Sequence, residues 1–131
     1  MAANEATTEQ PPTVARYDSP LYLVICRDGP GSGVARAEKL DGHLRHVEVN
    51  WRRYVLAGPL RNPGEQALSG SYFMVRATDE ADVRALMMGD PYVSSGMYAT
   101  MEVLEATASI GLYMGGKIWE NADAIRSKAA G

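Results

Sequence analysis

Histidine occurs twice in this chain of 131 residues, at His43 and His46, three positions apart. Imidazole is the side chain whose ordinary pKa lies nearest neutrality, so either ring could move a proton to or from a substrate. Two histidines could also begin a metal site, but a firm site needs further ligands, and none is obvious on the same helix. Ordinary helix-surface histidines are the third reading, and spacing alone does not choose among them. Asp90 is the second residue of interest, because Gly89 and Pro91 on either side give it a defined backbone direction. A carboxylate so placed could accept a hydrogen bond from an imidazole N–H and orient the ring. The plainer alternative is an aspartate that stops a helix and serves a turn. The lone cysteine, Cys26, follows Leu23, Val24 and Ile25, and reads as a buried strand residue rather than a nucleophile.

These residues need elements to hold them. Residues 21–26 (LYLVIC) are a short apolar, β-branched run, followed by the loop DGPGSG at 28–33. That loop lacks the GK[ST] of a P-loop and the spacing of a dinucleotide fingerprint, so it reads as a connector. From 34 to about 51 the pattern is helical, with Ser32 as a candidate cap. Val34, Ala37, Leu40, Leu44, Val47 and Trp51 form an apolar stripe, with Trp51 expected to pack. Lys39, His43, His46 and Asn50 form a second, polar stripe. Residues 54–57 read as a strand ending at Gly58-Pro59, where a missing side chain and a missing donor admit close approach of a substrate or another chain. Residues 70–77 alternate as a strand. Thr78 then caps a helix over 79–88, with Ala81, Ala85 and Met88 spaced for one face and Leu86 beside it. Gly89-Asp90-Pro91-Tyr92 ends that helix, and 98–104 is a last strand. The order β-α-β-β-α-β predicts an α+β, ferredoxin-like sandwich with both helices on one face of an antiparallel sheet. The other face then carries apolar side chains that a second copy would cover, so a homodimer is expected.

Composition bounds the function. The chain is 46% hydrophobic with a formal net charge of −3, which gives no electrostatic footprint for nucleic acid or an anionic membrane. No stretch approaches the ~20 apolar residues that span a bilayer. One cysteine excludes an internal disulfide and fits a reducing compartment, so a cytoplasmic protein is expected. Residues 1–18 are polar, with Pro11 and Pro12 together, and are expected to form a mobile tail. Residues 19–119 are taken as the domain. Residues 120–131 are taken as a frayed tail, and the GLYMGGKIW stretch before it as room for one further short extended piece.

His43-Leu44, Ala57-Gly58-Pro59-Leu60, Gly70-Ser71 and Asp90-Pro91-Tyr92, in this order and each on its expected element, resemble the YCII family. The resemblance runs from about Leu21 to Leu104. It implies a ferredoxin-like protomer in a dimeric α+β barrel and an active site built on a His–Asp dyad, carried here by His43 and Asp90. His46, Gly58, Pro59, Ser71 and Tyr92 would then line the pocket. Relatives with known activity include a dehydrochlorinase acting on a chlorinated hydroxyquinol. The wider group includes isomerases and cofactor-free monooxygenases. His46 stands where relatives often have another residue type.

The leading expectation is a small lyase or isomerase acting on a small-molecule substrate. It would abstract a proton next to a carbonyl of a lactone or hydroxyquinol-like compound, with no cofactor and no metal. A non-catalytic binding or regulatory module and a cofactor-free monooxygenase are the alternatives. The substrate itself is not legible in one sequence.

Overall fold

A computed structural model describes residues 9–130. The chain divides into two compact units, Ser19–Thr107 and a second made of Met1–Asp18 with Ala108–Gly131. The first unit runs β1 (Leu21–Asp28), α1 (Ser32–Glu38), α2 (Leu40–Val49), a 3₁₀ turn (Trp51–Arg53), β2 (Tyr54–Leu60), β3 (Gly70–Arg76), α3 (Glu80–Met88), α4 (Pro91–Ser94) and β4 (Tyr98–Ala106).

The four strands form one antiparallel sheet in the order β2-β3-β1-β4. This is the expected ferredoxin-like arrangement. The sheet of one chain is open, not a closed barrel. Its core face presents Tyr22, Val24, Cys26, Phe73 and Val75, and α3 packs Val83, Leu86 and Met87 against them. The strand period puts Leu23, Ile25, Tyr72 and Met74 on the other face. Register sets Leu56 beside Met74 and Leu104 beside Leu23, and none of the six is buried.

Several local expectations shift. The single predicted helix is two, broken at Lys39, where φ is −100° and ψ 7°. Gly31 in left-handed conformation starts α1, and Ser32 does not cap it. Neither α1 nor α2 buries a single residue. Trp51 is 60% exposed and stacks under Arg52, rather than packing inward. On α3, the bulkier Val83, Leu86 and Met87 turn inward, leaving Ala81, Ala85 and Met88 exposed. Its cap is Asp79, one residue after the expected Thr78, whose N–H and hydroxyl instead donate to Asp82.

In the second unit, main-chain pairing replaces the expected tail. The Val14 N–H donates to Lys117 C=O and the Lys117 N–H to Pro12 C=O. These bonds tie Lys117 to the segment around Pro12 and Val14 within the second unit. A small β-ladder, β5 (Ile110–Gly111) with β6 (Gly116–Lys117), and a helix, α5 (Ala122–Ala130), complete it. The helix replaces the expected fraying after Glu120. Residues 1–8 of the predicted mobile tail lie outside the described residues.

Candidate active site

Because α2 contributes nothing to the core, a gap of about 330 Å³ remains between it and the sheet. Leu40, Leu44 and Val47 form the helix side; Ala57, Gly58, Pro59, Ser71 and Phe73 form the sheet side. The predicted apolar stripe therefore walls a cavity and does not fill a core. Leu40, Leu44 and Leu68 stay partly open to solvent at its edge.

His43 reaches this cavity from α2, and Asp90 meets it from the turn between α3 and α4. Asp90 has an extended backbone, as a residue before proline must, and its side chain caps α4 by accepting from the Tyr92 N–H at 2.9 Å. Its two carboxylate oxygens lie 2.9 Å each from His43 Nδ1. The side chain is fully buried. Turn former and imidazole acceptor, posed as alternatives by the sequence, are thus one residue doing both. A buried carboxylate facing Nδ1 selects the tautomer protonated there. The opposite nitrogen, Nε2, makes no hydrogen bond among the described residues. Tyr92 stacks flat on the imidazole, with centroids 3.8 Å apart and planes 9° from parallel.

Ser71 sits one strand away and is buried. Gly70 before it lies where an added Cβ would stand 2.2 Å from the Cys26 carbonyl oxygen, so only glycine allows β3 to pass β1 there. The Gly70 carbonyl and Ser71 hydroxyl both accept from Arg36 Nη2, at 3.0 and 3.3 Å. Arg36 itself is forked onto Asp28 through Nε (3.1 Å) and Nη2 (2.9 Å). Burial pulls the Arg36 pKa down, but the bond to Asp28 and its charge outweigh burial, and the net shift is upward. Tyr98 donates to the Ser71 hydroxyl at 2.8 Å, and Tyr92 donates to the Arg36 carbonyl at 3.0 Å. Burial raises the pKa of both tyrosines, which keeps them phenolic.

The structure thus brings His43, Gly58, Pro59, Ser71 and Tyr92 to one cavity, with Asp90 buried behind His43. His46 is not among them. Its ring packs over the bare backbone of Gly89, where an added Cβ would come within 2.9 Å of the ring carbon Cε1. Its Nε2 is buried without a hydrogen-bond partner. The three-residue step leaves the two rings about 60° apart around the helix, and each meets a different residue of the Gly89-Asp90 turn. Among the described residues, no group of three His, Cys, Asp or Glu side chains could hold a metal ion. Arg36, Asp28 and Tyr98 are site residues the sequence reading passed over. The available signal was the four-, three- and four-residue spacing of Arg36, Leu40, His43 and Val47. Cys26 is buried beneath the site, and burial pushes its thiol up to about 12, which leaves it inert.

An open antiparallel sheet with a histidine–aspartate pair beside a mostly apolar cavity defines a small α+β protein. The YCII-related domain matches residues 21–107, and the chain belongs to that family. Among solved structures it is similar to 5-chloro-2-hydroxyhydroquinone dehydrochlorinase from Burkholderia phenoliruptrix AC1100, in complex with 2,5-dihydroxybenzoquinone. That likeness has a TM-score of 0.60 at 24% identity and covers 70% of this chain and 95% of the other. A protein of unknown function from Nitrosomonas europaea is more distant, with a TM-score of 0.44 at 18% identity, covering 72% and 95%. No curated protein matches. No helix among the described residues is long and apolar enough to cross a membrane.

Proposed function

We propose that this protein is an acid–base enzyme of the lyase or isomerase type, acting on a small cyclic or aromatic-derived carbonyl compound such as a lactone or hydroxyquinol. The observation that carries this reading is the His43–Asp90 pair, with Nδ1 held at 2.9 Å and Nε2 left unbonded at the cavity. Nε2 takes a proton from the carbon next to the carbonyl, and the bonding pair moves onto oxygen as an enolate. In elimination that pair then returns and expels a leaving group. In isomerisation the imidazolium gives the proton back at another carbon. Asp90 keeps the ring oriented and faces the positive charge that develops on it. Tyr92, Gly58 and Pro59 shape the space for a flat ring. General acid–base help of this kind supplies about 10²–10⁴ in rate.

The test is turnover by wild type, His43→Ala and Asp90→Asn across a panel of lactones and substituted hydroquinols. Loss of turnover by ~10³-fold or more in both variants, with ligand binding retained, supports the reading. Full turnover in either variant sinks it. Ligand binding with no turnover by wild type across the panel favours a non-catalytic module.

A second copy is the proposed cover for the face bearing Leu23, Ile25, Leu56, Tyr72, Met74 and Leu104, which makes the protein a homodimer. A monomeric sedimentation coefficient at micromolar concentration, unchanged by Met74→Glu, would refute this. The buried free thiol of Cys26 suits a reducing cytoplasm.

A further inference from the structure

The cavity wall holds three groups with polar atoms free to act. His43 Nε2 is an acceptor in the tautomer that Asp90 selects. The other two are donors, and their direction follows from counting bonds. Ser71 Oγ receives the Tyr98 hydroxyl at 2.8 Å and Arg36 Nη2 at 3.3 Å. Tyr98 is held by burial in its phenolic form and has no other hydrogen-bond partner, so it is the donor of that pair. Ser71 Oγ accepts the Tyr98 proton and shares one of the two Arg36 Nη2 protons, and its own proton meets no acceptor among the described residues, which leaves it for the cavity that Ser71 lines. Arg36 spends Nε and Nη2 on Asp28, Gly70 and Ser71, and its Nη1, with two N–H groups, makes no bond among the described residues. The Arg36 side chain is 16% exposed, and the residue also lines the cavity. Asp28 is fixed behind it, so the guanidinium cannot swing away. The remaining lining is apolar apart from Tyr92, whose hydroxyl is used on Arg36.

We propose that Arg36 Nη1 and the Ser71 hydroxyl form an oxyanion-binding pair for the ionised oxygen of a flat, otherwise apolar ring. This rests on the acid–base reading above, and adds that the site selects phenolate- or enolate-like ligands over their neutral forms. Arg36 and Ser71 hold the oxygen on which charge collects as His43 removes the proton. A preorganised donor pair of this sort, in a site shielded from water, is worth more than the same groups in solution.

The experiment uses para-nitrophenol, whose phenolate absorbs where the phenol does not, and para-nitroanisole, which cannot ionise. Wild type is expected to raise the phenolate fraction of bound para-nitrophenol above that of the free compound at the same pH, and to bind para-nitroanisole more weakly. Arg36→Met alone strands the buried Asp28, so it is made together with Asp28→Asn, and folding is checked by thermal melt. That double variant is expected to lose about ten- to hundredfold in phenolate affinity, with para-nitroanisole binding unchanged. Ser71→Ala is expected to lose about tenfold. His43→Ala keeps the phenolate preference, because the donors are untouched. If the folded Arg36→Met/Asp28→Asn protein and Ser71→Ala both prefer phenolate as wild type does, or if His43→Ala alone abolishes the preference, the pair is overturned. Those results would leave the acid–base reading intact. A preference that survives in His43→Ala alongside undiminished turnover would uphold the pair and refute the dyad.

Discussion

Gly42 and Pro91 touch so closely that a Cβ on the glycine would stand 2.9 Å from the proline Cγ. Gly42 precedes His43, and Pro91 follows Asp90. One turn along α2, His46 lies over Gly89, the residue before Asp90. Two bare glycines, one on each element, therefore bracket the His43–Asp90 pair and set how near the helix comes to the turn.

Gly42→Ala is expected to force α2 and the Gly89–Pro91 turn apart, since a proline ring cannot fold out of the way. Overpacking of this kind costs about 1–3 kcal/mol. A displacement near 1 Å costs about 10²-fold in rate. The readouts are the melting temperature, kcat, and the downfield imidazole N–H proton signal of His43. A variant that loses stability but keeps both the signal and kcat would separate packing from positioning and contradict the assignment.

Leu44→Ala and Met87→Ala should behave oppositely. Met87 is completely buried in the core, and its truncation should cost about 2–5 kcal/mol of stability. Leu44 is 42% exposed beside the cavity, so its truncation should cost well under that and weaken ligand binding instead. Denaturant unfolding and ligand titration of the two variants, compared directly, decide the matter.

Gly70→Ala should prevent stable folding, because the new methyl would meet a main-chain oxygen of β1 at 2.2 Å. No side-chain rotation relieves that contact. Soluble expression with a wild-type melting temperature would mean that β3 and β1 have room to part.

Burial raises the pKa of Cys26, and of Tyr54 and Tyr98 above it, relative to ordinary values of 9.0 and 10.0. The unfolded chain then releases these protons before the folded chain does. Stability is fully present below pH 9 and falls as pH climbs from there toward the folded values. Denaturant midpoints measured from neutral to strongly alkaline pH should show this decline. In the same range of conditions, Cys26 should resist alkylation until the protein unfolds.

The β-α-β-β-α-β order was legible because β1 is an apolar run bounded by Pro20 and Gly29, and β3 alternates in side-chain character after Gly70. Asp90 was legible because its two neighbours constrain it. Arg36 was not, since its partners Asp28, Gly70 and Ser71 are brought to it by a loop and a strand crossing that leave no local pattern. The misreading of α1–α2 has a related cause. Periodicity reports that a face is apolar, but not whether a core or a cavity lies against it. Treating Leu40 and His43 as members of separate stripes hid the fact that Arg36, Leu40, His43 and Val47 share one wall. His46 shares spacing with His43, yet it meets the bare backbone of Gly89 while His43 meets the carboxylate beside it.

The helix carrying His43 contributes no fully buried side chain, while the carboxylate it meets is anchored at the end of the best-packed helix. Regions with little buried area open at a fraction of the global unfolding free energy. Amide hydrogens of α1 and α2 should therefore exchange well before those of β1, β3 and α3. The His43–Asp90 pair then spans a seam between a helix with little buried area and a well-packed block.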